Sequence, residues 1–167
     1  MKHLITAAIL AIAPLTAHAE DNWTGFHVGL QAGHSNVTSA GPDLGNATLG
    51  LHAGYLHDFG RYVLGGELAY DAGAEMQTGG RVQKADTLRL KLKGGYDFGR
   101  TLVYGVVGAA RLDASSGAIN GHSVGLGVAY AVSERVILGA EYLHDSFDSN
   151  AQKTKSDTVS LRLSYKF

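Results

Sequence analysis

Bulky apolar residues alternate with small or polar residues along most of the chain after about residue 25. The pattern is clearest over residues 88–98, where leucine and aromatic positions alternate with arginine, lysine, glycine and aspartate. Eight such segments can be delimited, each about ten to twelve residues long, which is the length that a tilted strand needs to cross a bilayer. Because successive side chains of a strand point to opposite faces, each segment is predicted to be a two-faced β-strand.

The links between these segments alternate between short and long. The tetrapeptide Asp-Phe-Gly-Arg forms two of the short links, at residues 58–61 and 97–100, and residues 133–135 form the third. The longer links are polar and cover residues 36–46, 74–85, 113–121 and 148–157. Short turns on one side and long loops on the other are typical of outer-membrane barrels. The fold class predicted is therefore all-β, an eight-stranded antiparallel up-and-down β-barrel with its short turns and both termini on the periplasmic side.

The size of the side chains indicates which face of each strand points outward. The polar face consists mainly of glycine and small residues with a few charges, whereas the other face carries the bulk. A narrow eight-stranded lumen needs small side chains to leave room for a few long ones, and a soluble barrel would fill its centre with the bulky residues instead. The longest apolar run after the N-terminal region, Leu102 to Ala110, is nine residues long and too short for a membrane helix. The pattern favours a transmembrane barrel.

Aromatic residues gather near the short-turn end of the outward face. Such a girdle is typical of one membrane interface. In the fifth segment we assign Leu102, Tyr104, Val106, Ala110 and Leu112 to this outward face, and Gly105 and Arg111 to the lumen. A sparser belt at the other interface would consist of Tyr70, His144 and Phe147. The aromatic residues predicted for the first interface are Phe26, Tyr55, Tyr62, Tyr96, Phe98, Tyr104, Tyr130 and Tyr165, followed by the terminal Phe167.

Charged residues on the inward face are predicted to pair across the lumen. Counting along each strand from its short-turn end places Glu67 level with Lys93, and Glu141 level with Arg162. The same count places Arg89 level with Arg111, with Asp71 close by. Isolated buried ions are costly, so these groups should form ion pairs that fill the lumen and fix the strand register. The alternative is an ion-selective path, for which eight strands leave little room.

The N-terminal residues have the features of a secretory signal. Lys2 and His3 precede an apolar run from Leu4 to Ala13, and Ala17-His18-Ala19 is a small-residue cleavage site. We expect residues 1–19 to be a signal peptide and residues 20–167 to be a single barrel domain. The net charge of −1 gives no indication of nucleic-acid binding, and the chain contains no cysteine. The eight histidines are dispersed and no phosphate-binding loop is present, so we expect neither a metal nor a cofactor.

Three parts of the chain resemble one family of small membrane barrels. The segment Trp23–Gly29, the paired Asp-Phe-Gly-Arg turns and the alternating end Val159–Phe167 are similar to the corresponding parts of OmpA/OmpX-like proteins of the porin family. The resemblance implies an integral protein of the cell outer membrane with structural, surface-interaction or weak pore roles. It also implies a terminal Phe167 that the barrel-assembly machinery recognises, and contact with outer-membrane lipid and lipopolysaccharide. We expect a monomer that is not an enzyme and contributes to envelope integrity.

Two alternative functions remain open at this stage. His144-Asp145-Ser146 is similar to the His-x-Ser motif of lipid A deacylases, and Asp157 is the nearest carboxylate that could orient the histidine. The chain departs from that motif, because Phe147 stands where the family has asparagine and the downstream glutamate is missing. The other alternative is adhesion or partner binding through the outer loops, although these loops offer few aromatic anchors.

Overall fold

The computed structural model describes residues 23–38, 44–73, 76–78, 81–83, 85–114, 117–149 and 152–167. Within these ranges eight strands close into an antiparallel barrel, in the order β1-β2-β3-β6-β7-β8-β9-β10 and back to β1. The predicted eight-stranded up-and-down β-barrel is confirmed. The predicted signal peptide lies outside the described residues. The strands are β1 (Gly25–Thr38), β2 (Leu44–Asp58), β3 (Tyr62–Gly73), β4 (Met76–Thr78), β5 (Arg81–Gln83), β6 (Ala85–Asp97), β7 (Thr101–Ala114), β8 (Gly117–Ala131), β9 (Val136–Ser149) and β10 (Gln152–Lys166).

The barrel strands are longer than the sequence pattern indicates. They run for 12 to 15 residues and extend into all four of the segments predicted as long links. Strands β7 and β8 remain paired as far as Ala114 and Gly117, and β9 and β10 as far as Ser149 and Gln152. The link between β3 and β6 contains the small hairpin β4–β5. Alternation fades in these extensions because a strand with polar surroundings on both faces needs no apolar face, so the pattern marks only the part that the membrane and the lumen constrain. None of the described residues forms a helix long and apolar enough to cross a membrane.

Side-chain exposure shows that the barrel is apolar outside and polar inside. Leu161 is 70% exposed and Leu49 is 66% exposed on the outer wall, whereas Lys91 and Asp145 are fully buried within the lumen. An outer surface covered by leucine, valine and aromatic side chains is far larger than the apolar patches of a soluble monomer. The predicted direction of the two faces is therefore correct for seven of the eight segments.

The face assignment predicted for β7 is wrong. Leu102, Tyr104, Val106 and Ala110 are buried in the lumen, and Arg111 lies on the outer wall with its side chain 56% exposed. The outward positions of this strand are instead valine, glycine and alanine, such as Val103 and Val107. Both faces of β7 are apolar over most of its length, so no polar residue shows which alternate positions face the lumen. The predicted assignment is therefore off by one residue, which exchanges the two faces.

The position predicted for Phe147 in an outer aromatic belt is also wrong. Phe147 is only 2% exposed and points into the lumen. It lies opposite Gly121 on β8, where a Cβ atom would lie 2.6 Å from the Phe147 ring. His144 faces outward, and residues an odd number apart on one strand point to opposite faces, so His144 and Phe147 cannot share a belt.

The two Asp-Phe-Gly-Arg turns adopt the same local geometry. The Asp58 carboxylate accepts a hydrogen bond from the backbone N–H of Gly60 at 2.7 Å, and the Asp97 carboxylate accepts the equivalent bond from Gly99 at 2.6 Å. Gly60 and Gly99 have φ angles of 99° and 79°, in the left-handed region that favours glycine. The repeated tetrapeptide therefore encodes a tight turn held by its own aspartate.

Candidate functional site in the barrel lumen

Five charged side chains form a continuous network at mid-height in the lumen, which we call the central cluster. Each of its three cations contacts both of its carboxylates. Lys91 Nζ lies 2.7 Å from Glu67 and 2.6 Å from Glu141. Lys93 Nζ lies 2.6 Å and 3.3 Å from the same two carboxylates, and the Arg162 guanidinium lies 2.6 Å and 2.8 Å from them. Every possible cation–carboxylate contact within the cluster is therefore formed.

The central cluster also has two further partners, a tyrosine and a histidine. The Tyr104 hydroxyl donates a hydrogen bond to Glu141 at 3.0 Å, and His27 Nε2 lies 3.1 Å from Glu67. Glycine makes room for the tyrosine, since a Cβ at Gly127 on the neighbouring strand would lie 2.4 Å from the Tyr104 ring. Tyr104, which β7 directs into the lumen, is therefore a hydrogen-bond donor to the buried carboxylate of Glu141.

A second group of charges, the outer cluster, lies nearer the long loops. The Arg89 guanidinium contacts Asp71 and lies 2.6 Å from Asp145. Gln31 donates a hydrogen bond to Asp71 at 2.6 Å, and Ser123 donates one to Asp145. Among the described lumen residues, the central cluster has one excess positive charge and the outer cluster has one excess negative charge. The buried charges of the two clusters therefore balance without a bound ion.

Both clusters connect nearly opposite walls of the barrel. Lys91 and Arg89 are on β6, whereas Glu141 and Asp145 are on β9, three strands away along one side of the closed sheet and five along the other. Buried ions need partners to offset the cost of leaving water, and here each carboxylate has a partner on an adjacent strand or across the lumen, as Glu67 has Lys93 beside it and Glu141 has Lys91 opposite. The resulting braces tie the two halves of the barrel together.

Sequence reasoning found part of this network. The structure brings Glu67 together with Lys93, Glu141 with Arg162, and Arg89 with Asp71. It does not bring Arg111 into the lumen. The predicted lumen position of Arg111 is wrong, because its side chain lies on the outer wall and pairs there with Asp113 at 3.4 Å. Lys91, Asp145, His27 and Tyr104 were missed as members. Lys91 and Asp145 lie on inward faces that the sequence pattern assigned correctly, so the alternation of their strands could have identified them as lumen charges. Nothing in the sequence of β7 points to Tyr104.

Below the central cluster, at the short-turn end, the lumen is filled by an apolar layer. Four of its members each lie two residues from a short turn, and Trp23 covers them. The Trp23 indole N–H is 3.0 Å from the Asp97 carboxylate and 3.1 Å from the Gly99 carbonyl, and the Trp23 backbone N–H donates to Asp58 at 3.2 Å. The two aspartates that hold the turns therefore also hold the tryptophan. The four members below Trp23 are Leu56, Val63, Leu102 and Ile137.

The structure places the predicted interface aromatics on the outer wall, with one exception. Phe26 contacts Tyr55 with ring centroids 4.8 Å apart, and Tyr62, Tyr96 and Phe98 form a chain of ring contacts of 5.6 Å and 4.8 Å. The guanidinium of Arg100 lies over the exposed ring of Tyr130, and Tyr165 contacts Phe167 at 5.1 Å. Tyr104 is the exception: the prediction is wrong for this residue, because its ring lies in the lumen.

The residues of the predicted hydrolase alternative lie together on the outer wall. His144 on β9 stands directly opposite Asp157 on β10, and its Nδ1 atom lies 2.8 Å from the Asp157 carboxylate. Tyr142 donates a hydrogen bond to the same carboxylate oxygen at 2.6 Å. Ser146 is the next residue on this face of β9, two positions from His144. Within the described ranges, no group of three or more histidine, cysteine, aspartate or glutamate side chains is arranged to hold a metal ion.

Comparison with known proteins agrees with this architecture. A family model described as "Outer membrane protein beta-barrel domain" matches residues 5–167. No curated protein matches the chain. Among solved structures, Neisserial surface protein A is 20% identical with a TM-score of 0.72, over 86% of this chain and 98% of that chain.

Two further crystal structures show the same fold. Ail, the attachment invasion locus protein of Yersinia pestis, solved in complex with the heparin analogue sucrose octasulfate, is 18% identical with a TM-score of 0.60, over 86% of this chain and 99% of that chain. The N-terminal β-barrel domain of OprF from Pseudomonas aeruginosa is 13% identical with a TM-score of 0.54, over 84% and 97% of the two chains.

Proposed function

The chain belongs to the family of outer membrane protein beta-barrel domains, and from this premise we propose that it is a monomeric, non-enzymatic protein with a structural role in the envelope. The observation that carries this proposal is the filling of the lumen. Ion pairs cross it at two levels, and an apolar layer lies beneath them. Its partners in the proposal are outer-membrane lipid, lipopolysaccharide and, during biogenesis, the barrel-assembly machinery.

The central cluster argues against conduction of hydrated ions. An ion that moves along the lumen would have to separate pairs such as Lys91–Glu141, and both of these side chains are shielded from water. Separating a buried pair leaves two charges without partners, which costs several kcal/mol per ion by general estimates. At most a narrow and rarely open pore is compatible with such a barrier.

Planar-bilayer recording of the refolded protein tests this role. We expect no reproducible conductance steps from the wild-type protein. The Glu67→Gln variant serves as a comparison, because it weakens three cation contacts at once and should raise the frequency of brief openings. Stable, frequent channels from the wild-type protein would contradict the structural proposal and favour a pore.

One observation favours a second candidate, a hydrolase that acts on acyl esters of outer-leaflet lipid. The His144–Asp157 contact supplies an oriented imidazole, and Ser146 on the same face supplies a hydroxyl nucleophile. In this candidate the imidazole takes the serine proton while the serine oxygen attacks the ester carbonyl, and the alcohol leaves with the proton that the imidazole returns. Water, activated by the same imidazole, then hydrolyses the acyl-serine and releases the fatty acid. Release of fatty acid from lipid A by the wild-type protein, lost in Ser146→Ala, would support it. No release from the wild-type protein would exclude it.

A further inference from the structure

The chain bends sharply where it enters the barrel. Trp23 and Thr24 precede β1, and we call these two residues the N-terminal lid. Gly25, the first residue of β1, has a φ angle of 149°, which residues with a side chain rarely adopt. A Cβ atom at Gly25 would lie 2.8 Å from the backbone oxygen of Phe167, at the point where the end of β10 meets the start of β1. The bend therefore turns the lid inward, over the apolar layer, instead of along the wall.

Two short turns hold the N-terminal lid. The Trp23 indole N–H reaches the Asp97 carboxylate and the Gly99 carbonyl, and the Trp23 backbone N–H donates to Asp58. The Thr24 hydroxyl in turn accepts a hydrogen bond from the backbone N–H of Asp58 at 3.0 Å. One of these turns joins β2 to β3 and the other joins β6 to β7, so the lid lies across the mouth of the lumen from one turn to the other.

The barrel wall does not depend on the lid. The strand pairing of β1 begins at Gly25, after the lid. Asp58 and Asp97 each also accept a hydrogen bond from the glycine of their own turn, so both turns keep their geometry when the lid leaves. Leaving therefore breaks only the hydrogen bonds and the apolar contacts of the lid itself. A local opening of this kind requires far less free energy than unfolding of the whole barrel.

The lid closes one end of a short apolar compartment. Leu56 and Val63 lie beneath the indole and are shielded from water, and the central cluster closes the other side of the compartment through pairs such as Lys91–Glu141. An open lid would expose the apolar layer at the mouth of the barrel, while the central cluster would still separate it from the rest of the lumen.

We propose that the N-terminal lid opens and closes on the folded barrel, with Gly25 as its hinge, and that it controls the entry of water and small solutes into the short-turn end of the lumen. The closed lid seals the apolar layer, and the two Asp-Phe-Gly-Arg turns are the seat that it leaves and rejoins. The inference goes beyond the structural role proposed above, because it assigns a moving part to one end of the barrel.

Thiol labelling of single-cysteine variants tests this inference, since the chain contains no cysteine. Val63→Cys places a reporter directly beneath the lid. Ala69→Cys places a second reporter on the same strand, beyond Glu67 and between the two charged clusters, and both replaced side chains are 1% exposed. The full chain, refolded in detergent micelles, is treated with a small water-soluble methanethiosulfonate. We expect the first reporter to be labelled slowly while heat-modifiable migration shows that the barrel remains folded.

Gly25→Ala is the variant that should hold the lid open, because an alanine is strained at this φ angle and its Cβ would be too close to Phe167. We expect about tenfold faster labelling of the reporter beneath the lid and no change at the second reporter. Gly105→Ala is the matched control, since the nearest neighbours of a Cβ at Gly105 are 3.9 Å and 4.0 Å away, and it should change neither rate. Trp23, the one tryptophan of the chain, gives a second readout without a cysteine: Gly25→Ala should shift its emission to the red and increase its quenching by acrylamide.

Thr24→Val is a second variant, which keeps the volume of the side chain and removes the acceptor for the Asp58 N–H. It should label about threefold faster beneath the lid, and it decides the question by the same criteria if Gly25→Ala does not insert. Four results would overturn the inference: no labelling beneath the lid in the folded barrel, equal rates in Gly25→Ala and Gly105→Ala, an unchanged tryptophan emission, or equal acceleration at both reporters. The last result would show that the whole barrel unfolds rather than the lid.

Discussion

The central cluster and the apolar layer beneath it occupy the same lumen, but different forces fill them. The central cluster consists of Glu67, Glu141 and three cations that contact both carboxylates. The apolar layer consists of short aliphatic side chains under Trp23, whose polar atoms reach only the turn residues. The stability of the central cluster depends on each buried charge having an oppositely charged partner at a suitable geometry, whereas the stability of the apolar layer depends on how well its side chains fill the available volume.

This difference follows from where each layer meets the wall. The apolar layer lies next to the short turns, where Trp23, just before β1, closes the end of the lumen over four aliphatic side chains. The central cluster lies at mid-height and spans strands that are nearly opposite each other. Removing a charged side chain from the central cluster should therefore leave an uncompensated charge, and truncating a side chain of the apolar layer should leave a cavity. The following variants are expected to separate these two outcomes.

The largest effect is expected from Glu141→Gln. The substitution keeps the volume but removes one of two carboxylates, so that Lys91, Lys93 and Arg162 share Glu67 alone. Removing one partner from a buried ionic network typically costs about 3–5 kcal/mol. Urea unfolding of the protein in lipid vesicles, followed by heat-modifiable migration, measures the loss of stability.

Glu134→Gln provides the control for this variant. Glu134 is an exposed residue of the short turn between β8 and β9, and its substitution should change the free energy of unfolding by less than about 0.5 kcal/mol. If Glu141→Gln were as mild as Glu134→Gln, the cations would have to find other partners, and the central cluster would not brace the barrel.

Trp23→Ala should have the next largest effect, a loss of about 3 kcal/mol. The indole is 3% exposed and its removal leaves a cavity above Leu56 and Val63. The value falls at the low end for a buried tryptophan because the mouth of the barrel at the short-turn end can admit water into the space. Trp23→Phe keeps most of the volume and loses only the indole N–H bonds, so it should cost about 1 kcal/mol. Equal losses for the two variants would show that hydrogen bonding, rather than apolar contact, holds this layer.

Tyr104→Phe probes the boundary between the layers. The variant keeps the ring over Gly127 and removes only the hydroxyl that donates to Glu141, a carboxylate with three cationic partners left. We expect a loss of about 1–2 kcal/mol in the same urea experiment. Tyr96→Phe, on the outer wall, should change stability by less than about 0.5 kcal/mol. A loss in Tyr96→Phe as large as in Tyr104→Phe would contradict the inward placement of Tyr104.

The contrast between β6 and β7 explains how much of the fold could be predicted. In β6 each inward position from Arg89 to Lys93 is charged and each outward position is leucine, so parity and orientation follow from period two alone. In β7 the stretch 102–110 is apolar on both faces, and one residue of slip exchanges the faces without changing the pattern. The neighbours decide the parity, through Gly127 beside the Tyr104 ring and Glu141 at its hydroxyl.

The same reasoning applies to the candidate site. Pairs on adjacent strands, such as Glu67 with Lys93, could be predicted by counting residues from the short turns. Contacts that cross the lumen, such as Lys91 with Glu141 and Arg89 with Asp145, depend on the diameter and stagger of the closed barrel. Neither quantity can be read from the alternation of a single strand, so the cross-lumen braces were not predicted.

The smallest effect is expected from Arg111→Gln, and this variant gives the sharpest test of the β7 assignment. In the structure Arg111 is exposed and pairs only loosely with Asp113, an arrangement that typically contributes less than about 1 kcal/mol. Arg89→Gln is the matched comparison, since it would leave Asp71 and Asp145 buried without their cation. If Arg111 lay in the lumen as counted from the sequence, the two variants would be similarly destabilised in urea. We expect instead that Arg111→Gln unfolds like the wild-type protein while Arg89→Gln is destabilised by several kcal/mol, on the order of the loss from a broken buried pair.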